Sequence, residues 1–186
     1  MKMKVIGPLV GVLVIVIGYG ACKYNSLVNA EEDVDGSYAD IETNLQRRAD
    51  LIPNLVSTVK GFAAQEKEIF VAVAEARSKL IGAKGNPAEA AKANAGLSSA
   101  LSRLLMISER YPDLKSNQNF RALQDELAGT ENRIAVSRKR YNDATRSYNK
   151  TIRRFPSSVF AGMFGFEKKE FFEAEAAAKE VPKVEF

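Results

Sequence analysis

Large apolar residues recur every seven positions along the last long stretch of the chain: Phe120, Leu127, Ile134, Tyr141, Tyr148 and Phe155. A helix brings residues seven apart onto one face, whereas a strand sends every odd step to the opposite face. Leu123, Thr130, Ser137, Ala144 and Thr151 hold the companion positions. A repeat of 3.5 residues per turn predicts left-handed coiled packing against neighbouring helices. The small companions would let a neighbouring backbone come close.

One helix with such a seam needs partners. Leu27, Val34, Tyr38, Ile41, Leu45, Ala49 and Ile52 form an earlier stripe, and Val56, Val59, Ala63, Phe70, Val73 and Leu80 a second. Their steps are mostly sums of threes and fours. Gly82–Gly85 ends the second. Asn86, Pro87 and Glu89 then read as N-cap, first helical position and N3 of a third helix carrying Leu97, Leu101, Leu104 and Tyr111, which Pro112 closes. Asp113 to Asn117 reads as a turn into the last helix.

Pro53 lacks a backbone donor and disfavours helix at Ile52. Taken as a turn, it gives helices 24–52, 53–83, 87–111 and 117–155. Taken as a kink, it gives a single helix of roughly 85 Å over residues 24–82. Charge favours the turn. Residues 31–42 hold six acids and no base, and residues 133–154 hold eight bases and one acid, Asp143. Antiparallel first and last helices would bring these segments together. The expected fold is all-α: an up-and-down four-helix bundle.

Ahead of the bundle, Val5 to Cys22 is eighteen residues without a charge. As a helix it reaches roughly 27 Å, enough for the hydrocarbon core of a membrane. Lys2 and Lys4 precede it, and Glu31, Glu32, Asp33 and Asp35 follow, so the positive-inside rule puts the N-terminus in the cytoplasm and the bundle on the outer side. The competing reading is a lipoprotein signal cleaved before Cys22, which would then carry lipid. Either way the expected organisation is an anchor at 1–22, a helical domain at 23–172 and a charged tail at 173–186. Within the domain, 156–172 is rich in phenylalanine. It would either cap the open end of the core or lie in the membrane interface.

Composition narrows the chemistry. Histidine is absent, which removes the commonest general base and metal ligand. The single cysteine, Cys22, forms no intrachain disulfide and no zinc site. No phosphate-binding glycine loop, nucleophile elbow or zincin motif occurs. The net charge of +4 is too small to imply nucleic acid as a partner. The acids at 31–35 lack the glycine-turn loop of a calcium site. No catalytic residue, metal or cofactor is expected.

Two polar groups remain as candidates. Gln46, Arg47, Arg48, Asp50 and Asn54 surround Pro53 and read either as a docking surface or as a capped turn. Asn25, Asn142 and Asn149 each follow a tyrosine. They read as an amide network fixing helix register or, alternatively, as the lining of a polar pocket.

Tyr24-Asn25-x-Leu27-Val28, Leu45-Gln46-Arg47-Arg48-x-Asp50-Leu51-Ile52-Pro53-Asn54-Leu55-Val56, Tyr141-Asn142, Tyr148-Asn149 and Phe155-Pro156-Ser157 resemble the LemA family, as does the phenylalanine-rich stretch ending Gly165-Phe166. The likeness runs from the anchor to about Phe172. It implies a bacterial membrane protein with one N-terminal span and a helical-bundle domain, and it implies no activity. The expected function is therefore a non-catalytic scaffold tethered to the bilayer and meeting an envelope protein partner. A small-ligand or lipid sensor with a pocket between helices is the alternative.

Overall fold

A computed structural model describes the backbone of residues 3–172 and the side chains of residues 18–172. The expected tail at 173–186 lies outside the described residues, as do the side chains of most of the expected anchor. Among the described residues, no helix is long and apolar enough to cross a membrane.

The described chain is helical with no strand. Six α-helices occur: α1 (Met3–Lys60), α2 (Lys67–Gly82), α3 (Pro87–Ile107), α4 (Pro112–Ser116), α5 (Gln118–Arg153) and α6 (Ser157–Phe164), with a 3₁₀ turn at Ser108–Arg110. Asn86 caps α3 as expected, its side chain accepting from the Ala88 and Glu89 amides. Asn117 does the same for α5 through the Phe120 amide. Pro112 does not close a helix. It opens the single turn of α4, where its missing donor costs nothing.

Pro53 corrects the expected boundaries. It lies inside α1, and the first turn falls at residues 61–66 instead. A mid-helix proline strips the carbonyl four residues earlier of its donor. That carbonyl belongs to Ala49, and Arg77 of α2 donates its Nε–H to it at 2.8 Å. A side chain from another helix thus replaces the missing backbone bond, so the proline need not end α1.

The chain divides into two compact units, Met1–Ser37 with Asn142–Lys169, and Tyr38–Tyr141 with Glu170–Phe186. The second unit holds four packed helical segments. Tyr38 meets Tyr141, Asn44 meets Ser137 and Arg47 meets Glu126, so α1 and α5 run antiparallel there. Glu42 meets Gly85 and Ala49 meets Arg77, so α2 runs back along α1. Its core is mostly aliphatic and includes Ile41, Ile52, Leu55, Val73, Leu97, Leu104 and Ile134.

The first unit consists of the earlier part of α1, the later part of α5, α6 and a return segment. Leu27, Val34 and Tyr148 are its buried centre. Gly165 ends α6 with φ +75°, a conformation open to glycine, and the Phe166 amide closes on the Ala161 carbonyl at 3.0 Å.

The seven-residue seam holds from Phe120 through Tyr148, all buried, and fails at Phe155, which is 85% exposed. Past Tyr141 the buried positions step to Thr145, Tyr148, Asn149 and Ile152. A straight helix drifts about 20° per heptad from a strict repeat, which turns these later positions inward, and Phe155 itself lies past the end of α5 at Arg153. The buried face follows the helix rather than the sequence repeat.

Candidate functional site

The five residues around Pro53 divide between surface and core. Gln46, Arg47, Asp50 and Asn54 are exposed. Gln46 donates to the Asp50 carboxylate at 2.9 Å, one turn on. Arg47 pairs with Glu126 of α5. Arg48 turns inward and is only 5% exposed. Its Nη1 lies 2.5 Å from both the Asn94 Oδ1 of α3 and the Glu131 Oε2 of α5, and its Nη2 donates to the Ser98 Oγ at 3.0 Å. One guanidinium from α1 thus ties α3 and α5 together. A planar fork of donors suits this position as an ammonium would not. Since Pro53 is helical, none of the five caps a turn.

The three asparagines differ in burial. Asn25 is exposed and Asn142 half-buried. Asn149 is buried, and both ends of its amide engage the return segment. Its Nδ2 donates to the Lys169 carbonyl at 2.9 Å and its Oδ1 accepts from the Lys169 amide at 3.0 Å. The side chain imitates one rung of a sheet. The Lys169 ammonium then reaches Glu31 at 3.0 Å and Asp35 at 3.1 Å, so two of the acids at 31–35 serve an ion pair. Burial disfavours this ammonium, but the two carboxylates outweigh it and its pKa is raised.

Two tyrosines carry buried hydroxyls with no hydrogen-bond partner, Tyr38 and Tyr148. Desolvation, then the nearby Glu42 carboxylate and Tyr141, push Tyr38 up to about 12. Desolvation, then Glu31, also raises Tyr148. A phenol held neutral is a poor base, and neither hydroxyl is paired with a nucleophile. Cys22 is an exposed free thiol. Among the described residues, no group of three or more acids or cysteines is arranged to hold a metal.

Sequence reading did not pair Arg77 or Lys169 with these groups. For Arg77 a signal existed, since a helical Pro53 leaves the Ala49 carbonyl in need of a donor. For the Lys169 ammonium none did, because Glu31 and Asp35 lie more than a hundred residues away.

The buried polar ties described above staple helices and close a return segment. The molecule is an all-helical protein of bundle type, and the chain belongs to the LemA family, whose profile matches residues 37–186. Magnetosome protein MamQ 1 of Paramagnetospirillum magneticum is 29% identical over 180 residues, covering 83% of this chain and 66% of the relative. Magnetosome protein MamQ of Magnetospirillum gryphiswaldense gives the same figures. Protein LemA of Metamycoplasma hominis is 21% identical over 150 residues, 81% of this chain and 68% of that protein. The chain thus spans just under two thirds of the length of the magnetosome relatives. None of these names states a reaction.

Proposed function

We propose that this protein is a non-catalytic scaffold, tethered to a bacterial membrane and offering an exposed helical face to an envelope protein. The observation that carries the reading is α1. One unbroken helix includes the uncharged run from Val5 to Cys22 and, later in its course, the exposed Gln46, Arg47, Asp50 and Asn54. The run has the length of a membrane span. The lysines before it and the acids after it favour an outer-side bundle. Gln46, Asp50 and Asn54 stand at steps of four, so they share a face that a partner helix or loop reads as one surface. Tethering raises the effective concentration of such a surface toward partners in the same membrane. That relatives are named for a cellular structure, the magnetosome, rather than for a reaction also supports the reading.

The test is crosslinking and pull-down of the full chain from native membranes, comparing the wild type with an Arg47→Ala/Asp50→Ala double variant. Both side chains are exposed, so the bundle keeps its fold. Arg48 is left intact because its loss would disturb the core. Specific envelope proteins recovered with the wild type and lost from the variant are expected. Equal recovery would move the docking surface elsewhere, and no recovery with either would overturn the scaffold.

A further inference from the structure

The first unit shows an apolar face that none of the described residues covers. Phe155 is 85% exposed, Val159 51% and Met163 71%, at steps of four along α6 and its approach; Phe164 beside them is 52% exposed. The opposite side of α6 is seated, with Ser157 and Ala161 buried. The twelve residues Phe155 to Phe166 contain no charge, while Arg153 and Arg154 precede them and Lys168 and Lys169 follow. Exposed apolar residues this dense mark a site of contact, since soluble surfaces scatter such residues singly.

Where α6 sits identifies the contact. Phe160 packs on Tyr19 at 6.3 Å between ring centres, and Phe164 and Phe166 meet Tyr24 at 4.9 and 5.9 Å. Gly20 allows the approach, because a Cβ there would stand 3.1 Å from the Phe160 ring. Tyr19 and Tyr24 bracket Cys22, the last residue of the uncharged run. The axial rise from Tyr19 to Cys22 is only about 5 Å. The aromatic cluster thus lies at the level where a helix with that run would pass from hydrocarbon to headgroups. Aromatic residues concentrate at that level, and basic residues beside them meet lipid phosphates.

We infer that α6 is a membrane-interface element: its Phe155, Val159 and Met163 face enters the boundary between headgroups and acyl chains beside the exit of α1. The occupant of the face is lipid. The inference rests on the membrane tether proposed above and adds a second, independent point of contact. Together the two fix how the first unit meets the bilayer, which a lone helix leaves free to rotate.

The chain has no tryptophan, so one introduced indole reports alone. The full chain carrying Met163→Trp, and separately Val159→Trp, is reconstituted into vesicles of phosphatidylethanolamine and phosphatidylglycerol, with and without lipid brominated near the top of the acyl chain. Val71→Trp, at a similarly exposed site in the second unit, serves as reference. Circular dichroism checks that each variant keeps its helix content. Emission at 163 and 159 should shift to shorter wavelength and lose intensity in brominated vesicles, with Val71→Trp unchanged. Resistance of the same samples to alkaline extraction tests the tether separately. Resistant protein with water-like emission at both positions would overturn the interface element and leave the tether standing. Shielding from an aqueous quencher without bromolipid quenching would mean that protein covers the face, and would also overturn it. Complete alkaline extraction would remove the tether and this inference with it.

Discussion

The two units solve the same problem with different means. The Tyr38–Tyr141 unit has four long helical segments around an aliphatic core, and its ties are buried: Arg48 between three helices, and Arg77 on the carbonyl that Pro53 leaves free. The Met1–Ser37 unit has two long segments, one eight-residue helix and a return segment held by Asn149 and Lys169. Four helices can enclose their apolar stripes, whereas two need covering. In the first unit α6 supplies part of that cover and presents a new apolar face in doing so. The exposed large hydrophobics of the second unit, such as Val71 and Val136, are not grouped in this way.

The contrast is sharpest at Arg48. Arg48→Ala leaves Asn94 and Glu131 without their cation and should cost about 3 kcal/mol of stability in urea denaturation. Neighbouring Arg47→Ala removes an exposed pair and should cost under ~1 kcal/mol. Equal losses would break the claim that buried polar ties hold the second unit.

Asn149→Ala removes both bonds to the Lys169 backbone and should cost about 1–2 kcal/mol. Hydrogen exchange is the sharper readout. The Lys169 amide should lose its protection while the amides of α3 keep theirs. Loss of protection in α3 as well would show that the two units open together.

The smallest effect concerns Pro53. Arg77→Met should cost about 1 kcal/mol by leaving the Ala49 carbonyl unpaired. In a Pro53→Ala background the backbone supplies that donor again, so the same change should cost about half as much. Additive losses would place the role of Arg77 elsewhere.

Much of the architecture was legible. The stripes at Leu27–Ile52 and Phe120–Tyr148, the Asn86–Pro87 start and the glycine-marked stop before it depend on near neighbours in sequence, and they predict helices that the structure contains. The candidate site was less so. Gln46, Asp50 and Asn54 share a face because a helix has a fixed pitch, which sequence reveals. That Arg48 points inward while Arg47 points outward was readable in principle, one residue being 100° from the next on a helix. What Arg48 meets, Asn94 of α3 and Glu131 of α5, lies far along the chain and was not legible.

What the sequence determined by itself is therefore local: helix-forming stretches, their apolar stripes, one cap and an uncharged run of membrane length. The tertiary structure decided whatever depends on a partner distant in the chain. Arg77 lets α1 continue through Pro53, so the first turn falls at residues 61–66. Asn149 spends its amide on the backbone of Lys169, where the other tyrosine-linked asparagines offered equal candidates. Phe155 leaves the seam because α5 ends at Arg153 and the chain turns toward α6 before the repeat comes round again. A pattern fixes which face a side chain occupies, but only the packed neighbours fix what that face meets.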